Sequence, residues 1–220
     1  HCDLFGPLKT SGQNKKFILC MTDAFTKYVE LVALPDKEAL TVTSAIFNRW
    51  ICRYGVPLEI VTDQGKEFCN KMSDEIYKLI NTKHQTTTAR HPQCNAAAEV
   101  CNKTIAKYLN SFVDASTLDW ELYLAPLMFC YNTSFHRSIK NSPHFLTYGI
   151  EPRLPSFPTP DLRRTFYGES EATEMHQRLL LARKLAMENN MIVTEKTKEY
   201  FDRANKAKAY SFVNNQLVLL

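Results

Sequence analysis

Apolar and polar positions change period along this chain. Near the N-terminus the apolar residues fall in three short runs, Cys2 to Leu8, Lys16 to Asp23 and Tyr28 to Leu34. Polar turns separate them, Thr10 to Lys15 with Gly12 near its centre, and Thr22 to Lys27. Short apolar runs bounded by turn residues read as strands, and short connections join antiparallel neighbours. An antiparallel three-strand meander is expected. After Pro35 and Asp36 the period lengthens. Val42, Ile46, Phe47, Trp50 and Ile51 recur at helical spacing, so Lys37 to Tyr54 reads as a helix with Gly55 as its stop.

The next segments alternate in type. Leu58 to Asp63 is a short strand ending on a carboxylate and followed by Gln64 and Gly65. Ser73 to Asn81 reads as a helix with Asp74 and Glu75 in its first turn, where the helix dipole favours anions. His84 to Thr88 is a short β-branched strand, and Ala89 to Asn95 a loop containing Pro92. Ala96 to Val113 is strongly amphipathic. Cys101, Ile105, Tyr108, Leu109 and Phe112 form one face; Glu99, Lys103, Lys107 and Asn110 form the other. Leu118 to Tyr131 is a further helix with Pro126 as its expected kink. Trp50, Trp120, Phe129 and Tyr131 read as core. Strands alternating with helices after a meander imply an α/β protein with a mixed five-stranded sheet flanked by helices.

Pro152, Pro155, Pro158 and Pro160 cannot sit in a helix or a central strand, so residues 152–172 are expected to be a linker. That makes residues 1–151 one domain. Residues 173–220 are then an extension, helical to about Lys206, with a strand at Gln216 to Leu220 that stops mid-element.

Composition narrows the class. Of 220 residues, 45% are hydrophobic and 23% charged, the balance of a folded globule and not of a disordered chain. No apolar run reaches the ~18 residues of a membrane span, so no membrane partner is expected. The net charge of +4 is compatible with a polyanion partner without demanding one. Seven cysteines, odd in number, scattered and without a C-x-x-C pair, suggest reduced thiols in an intracellular protein and give no support to a zinc site. His1-Cys2-Asp3 has neither an initiator Met nor a signal region, so the chain reads as a fragment of a longer one.

Three carboxylates stand out by position. Asp3 sits in the first strand, Asp63 ends the fourth, and Glu99 opens the long helix 36 positions later. Strand ends and helix starts are places where a scaffold can converge side chains. Convergent carboxylates suit Mg²⁺ or Mn²⁺, and two such ions can activate one oxygen and stabilise another in a phosphoryl displacement. A lone Asp at a strand end is ordinarily a turn residue, so the argument rests on the set and its flanking text.

That text consists of D-L-F-G-P-L (3–8), T-D-A-F-T-K-Y (22–28), Y-G-V-P-L-E-I-V-T-D-Q-G-K-E-F (54–68), H-P-Q-C-N-A-A-A-E-V-C-N-K (91–103) and Y-N-T-S-F-H-R-S-I-K-N-S-P-H-F-L-T-Y-G (131–149). In order and in spacing it resembles the catalytic core of retroviral and gypsy-type LTR-retrotransposon integrases, through about residues 1–150. The resemblance implies an RNase H-like fold and a polynucleotidyl transferase, with associated endonuclease activity, that trims the 3′ ends of element DNA and joins them to target DNA. It implies that Asp3, Asp63 and Glu99 are the catalytic metal ligands for two Mg²⁺ ions, with Mn²⁺ as substitute. Asp3 and Asp63 would then share a position between the two ions, and Glu99 would close the second site. Lys103 matches a position that touches element-end DNA, and a cation four residues after Glu99 shares its helix face. Its rival role is a salt bridge to Glu99. Lys107 follows on the same face as a further expected DNA contact. Arg90 to Ala98 matches a loop over the site, placing His91, Gln93 and Asn95 near DNA.

The same resemblance implies a homodimer through the core, with Lys37–Tyr54 and Leu118–Tyr131 as candidate interface helices, and a tetramer or larger assembly on DNA. It also implies action in the nucleus. Phe212 to Leu220 looks like the opening strand of an SH3-like C-terminal domain, and a zinc domain would precede His1. The sequence departs from the family where a Gly usually follows the loop Asn. Here the stretch is Asn95-Ala96-Ala97-Ala98-Glu99, and Val100 replaces a frequent Arg. Alanine resists positive φ and favours helix, so a stiffer loop and an earlier helix start are expected. Two rivals remain: another enzyme of the same fold, such as a transposase or RNase H-type nuclease, and a degenerate or host-adopted copy that binds DNA or oligomerises without catalysis.

Overall fold

The computed structural model of the protein describes residues 1–87, 104–105, 107–108, 119–154 and 169–204. The meander forms as expected. Strands β1 (Cys2–Phe5), β2 (Phe17–Thr22) and β3 (Val29–Leu34) make one antiparallel sheet, with Asp3 opposite Cys20 and Leu19 opposite Val32. β4 (Glu59–Thr62) and β5 (Lys83–Thr86) pair in parallel, Ile60 opposite His84 and Thr62 opposite Thr86.

The expected five-stranded sheet is therefore corrected. The described strands form a three-stranded and a two-stranded sheet. β4 runs beside β1 without a ladder between them. Each of these strands has four residues and few ladder groups to exchange. A cleft of about 220 Å³, lined by Cys2 and Met21 on one side and Glu59, Ile60 and Val61 on the other, opens where they would meet.

Side-chain alternation on the meander builds two apolar layers. Cys2, Leu19, Met21 and Leu34 face one side and bury Val42, Ala45 and Ile46 of α1 (Ala39–Ile46). Ile60 of β4 and Tyr77 of α3 (Lys71–Leu79) join the same layer. Ile18, Cys20, Val29 and Leu31 face the other side and bury Ile105, Trp120, Leu124 and Leu127. At roughly 1.5–3 kcal/mol for each fully buried large aliphatic or aromatic side chain, these two layers hold the sheet in place.

Several helices differ in detail from their expected form. The helix expected over Lys37–Tyr54 is α1, a π-helical turn Phe47–Ile51 and a last turn, α2 (Cys52–Tyr54), before Gly55 at φ 91°. α3 starts two residues before Ser73 because the Asn70 side chain caps it, accepting from the Ser73 N–H at 2.9 Å. Pro126 does not kink its helix. A 3₁₀ turn, Trp120–Tyr123, leads into α4 (Leu124–Thr133), and Pro126 falls in the first turn of α4, where a missing N–H is tolerated. Phe129, expected in the core, is exposed, whereas Trp120 is buried.

The long helix of the extension is α6 (Glu169–Ala204), preceded by a short α5 (Pro143–Tyr148). Ala186 is fully buried with Ile139, Phe145 and Leu146, and Arg183 donates to the Leu146 carbonyl at 3.0–3.1 Å. The proline-rich segment beyond residue 154 and the strand expected at Gln216 to Leu220 lie outside the described residues. No helix among the described residues is long and apolar enough to cross a membrane.

Candidate active site

Asp3 and Asp63 come from neighbouring strands. Along β1, Cys2 and Leu4 face the layer of α1 and α3, so Asp3 and Phe5 face the opposite one, where Phe5 packs with Ile18 and Cys20. Along β4, Ile60 belongs to the α1 and α3 layer and Thr62 is fully buried. Continuing that alternation sends Asp63 to the side that Asp3 faces. Residues 104, 105, 107 and 108 are helical, and Ile105 packs on this side, buried with Ile18 and Cys20.

The backbone orients each carboxylate. The Leu4 N–H donates to Asp3 Oδ1 at 2.8 Å, and the Gly65 N–H donates to Asp63 Oδ1 at 3.0 Å. The second bond closes an Asx turn, which the Asp63-Gln64-Gly65 text permits. Gly65 matters here for closeness and not for a positive φ. A Cβ at that position would lie 3.0 Å from Asp63 Oδ1 and 2.8 Å from Glu67 Cδ. The Asp63 main chain is held as well. Thr62 Oγ donates to the Asp63 carbonyl at 2.7 Å, and Cys69 Sγ lies 3.7 Å from the same oxygen.

Electrostatically this corner is negative. Desolvation first, and then the charges of Asp63, Asp74 and Glu67, push the Cys69 thiol up. Asp63 is exposed, and among the described residues no basic side chain pairs with it. Carboxylate oxygens are the donors that a hard divalent cation takes, so Asp3 and Asp63 are of the residue type that the implied metal requires. Among the described residues no group of three or more His, Cys, Asp or Glu side chains could hold a metal ion. Glu99 lies outside the described residues, as do His91, Gln93, Asn95 and Lys103. Lys107 is helical and exposed.

Asp23, His136 and His84 have partners within the fold. Asp23 accepts from the Thr26 N–H and hydroxyl, both at 2.7 Å, in the turn after β2. His136 Nε2 lies 3.1 Å from the Tyr131 carbonyl, and its ring stands edge-on to Tyr131. His84 packs against the Tyr77 ring and also bonds Thr62, the residue before Asp63. The parallel pairing of β4 with β5 was the signal that could have found this contact.

Residues 1–92 match the family model described as Integrase core domain. Over 153 residues the chain is 29% identical to the Retrovirus-related Pol polyprotein from transposon 412 of Drosophila melanogaster, which covers 70% of this chain and 12% of that protein. It is 32% identical over 190 residues to Gypsy retrotransposon integrase-like protein 1 of Bos taurus, with 85% of this chain and 37% of that protein covered. The Homo sapiens protein of the same name is 30% identical over 210 residues, covering 94% and 39%. The chain thus spans well under half the length of these relatives.

Among solved structures, the HTLV-2 integrase catalytic core domain in complex with magnesium superposes with a TM-score of 0.53 at 19% identity, over 67% of this chain and 93% of that one. The simian T-cell lymphotropic virus intasome in complex with PP2A regulatory subunit B56 gamma gives 0.57 at 18% identity, over 72% and 56%. At such identities the likeness establishes the fold alone.

Proposed function

Because this chain belongs to the retroviral and gypsy-type retrotransposon integrase family, we propose that it is the catalytic core of a metal-dependent DNA transferase. It trims the 3′ ends of a linear element DNA and inserts them into target DNA. The observation that carries this reading is that Asp3 of β1 and Asp63, just beyond β4, come from strands that run side by side, with one carboxylate oxygen of each held by a backbone N–H.

Asp3, Asp63 and Glu99 are the proposed ligands of two Mg²⁺ ions, which Mn²⁺ can replace. Bound there, the ions supply Lewis-acid activation of the attacking oxygen and charge stabilisation for the leaving one. The chain's own part is to hold the carboxylates in a fixed array and to seat the DNA. Lys103 and Lys107, on the polar face of the Glu99 helix, meet the phosphates of the element end. His91, Gln93 and Asn95 reach the same DNA from the preceding loop. Residues 1–151 form the catalytic unit in this reading, residues 152–172 a linker whose last four residues open α6, and residues 173–220 lead toward a further domain. The core pairs as a dimer, forms a tetramer or larger assembly on DNA, and acts in the nucleus.

A second reading follows from Ala96-Ala97-Ala98, where the family pattern has glycine. A copy adopted by a host could keep the fold and DNA binding while losing catalysis. A joining-reversal (disintegration) assay on branched DNA separates the two. With Mg²⁺ or Mn²⁺ the branch is resolved, and EDTA, Asp63→Asn or Glu99→Gln abolishes the reaction. A folded wild-type chain that resolves nothing and shows no metal-induced rise in melting temperature supports the second reading.

A further inference from the structure

Thr62 is fully buried, and its hydroxyl has one proton. That proton goes to the Asp63 carbonyl at 2.7 Å. The Thr62 hydroxyl oxygen itself lies 2.9 Å from His84 Nε2. Having spent its proton, Thr62 Oγ can only accept from the ring, so Nε2 carries the hydrogen.

The fold explains why these groups meet. Ile60 and His84 are register partners in the parallel pair, and Thr62 is two residues beyond Ile60 on the same face. α3 covers that face. Its Tyr77 ring lies 5.0 Å from the imidazole, and Asp74 Oδ1 lies 3.9 Å from His84 Nδ1. The His84 side chain is 11% exposed. Desolvation lowers its proton affinity against the opposing pull of Asp74, which keeps the ring neutral at neutral pH. On the far side of β4, the Asp63 carboxylate takes the Gly65 N–H.

We propose that His84 is a positioning residue for Asp63, acting through the Thr62 hydroxyl to fix the peptide on which the carboxylate is carried. His84 touches neither DNA nor metal in this role. A hydrogen bond to the Asp63 carbonyl limits rotation of the chain where it leaves β4, and so limits where the carboxylate can point. The inference rests on the proposed metal-dependent reaction. Supporting partners of metal ligands typically change metal affinity or activity by about 10–100-fold when lost.

The test compares removal with conservative replacement. His84→Phe and Thr62→Val remove the link; His84→Gln and Thr62→Ser keep a donor and a hydroxyl. Each is assayed for branched-DNA resolution across a Mn²⁺ titration, with melting temperature as the fold control. The expected result is a rise of about tenfold in the Mn²⁺ concentration for half-maximal rate in Phe and Val. Gln and Ser stay near the wild type, and most of the lost rate returns at saturating metal. An unchanged metal requirement in Phe and Val, beside an active wild type, overturns the inference and leaves the transferase reading intact. Equal losses in all four variants overturn it as well. A wild type that is inactive and insensitive to metal removes the transferase reading, and the inference with it. If Phe and Val fail to fold, the tautomer decides. Nitrogen NMR of the wild type should show neutral His84 protonated on Nε2, and a proton on Nδ1 would overturn the assignment.

Discussion

Asn132 closes the outer edge of β3 by using both ends of its amide on Val29. Its Oδ1 accepts from the Val29 N–H and its Nδ2 donates to the Val29 carbonyl, each at 2.9 Å and buried. An edge strand left open is a template for pairing with another chain. Asn132 does here what a sixth strand would do, from a helix.

Removing that clamp should unfold the core more easily. Asn132→Leu leaves two buried backbone groups unpaired, each worth about 1–3 kcal/mol. A loss of roughly 2–6 kcal/mol in urea unfolding is expected, with increased self-association at high concentration. Asn132→Asp keeps the acceptor, loses the donor and should fall between.

Glu30 predicts an alkaline limit to stability. It is buried, 2.8 Å from Arg53 Nη1 and 2.5 Å from the Tyr54 hydroxyl that donates to it. Burial first, then the bond to Glu30, push the Tyr54 hydroxyl far above the ordinary tyrosine range. Tyr28, 5.5 Å away ring to ring, is pushed up to about 12 by burial and by Tyr148. Folded values above the unfolded one mean that the native state holds more protons above about pH 10. The stabilisation is full below that pH and is lost as pH rises through about 12. Phenolate absorbance should rise with unfolding, and Tyr54→Phe should flatten the alkaline limb while lowering stability at neutral pH by about 1.5–3 kcal/mol.

His136 gives the opposite limb. Burial pulls its value below 6.5, with Lys27 adding to the shift against the pull of the Tyr131 carbonyl. The unfolded chain then binds more protons just below pH 6.5, so stability is full above that pH and falls as pH drops through the folded value. Melting temperature should decline from pH 7 toward pH 5, and His136→Gln should make that decline shallower.

The layers were legible because the pattern is local. Meander positions such as Ile18, Leu19, Cys20 and Met21 are all buried, on alternating faces, and Val42 and Ile46 of the expected helical stripe are buried too, whereas Phe47, where the π-helical turn begins, is exposed. The placement of Asp3 in a strand and of Asp63 at a strand end was legible in the same local pattern. α5 was missed although Ser142 caps it, Pro143 opens it and Gly149 closes it at φ 77°. Six residues are too few to show a helical period. The gap between β1 and β4 and the bond from His84 to Thr62 depend on how distant strands pack, which local periodicity does not encode. The Asn70 cap moved the start of α3 because a side-chain bond outweighed the apolar pattern by which the start was placed.

Gly65→Ala should separate site geometry from fold. The new Cβ would stand 2.8–3.0 Å from the Glu67 and Asp63 carboxylates. Both are side chains near solvent that can shift, so stability should change by less than about 1 kcal/mol. Displacing Asp63 from its turn should cut branched-DNA resolution by about tenfold or more, in a rate assay beside a melting control.

That Asp3, Asp63 and Glu99 act as one site is tested most directly by counting bound Mn²⁺ by electron paramagnetic resonance, on the full chain with branched DNA present. Asp3→Asn, Asp63→Asn and Glu99→Gln are measured beside the wild type. The expected result is two Mn²⁺ per active site in the wild type and a loss of bound metal in each single variant. Undiminished Mn²⁺ binding in Glu99→Gln, or in both aspartate variants, would contradict it.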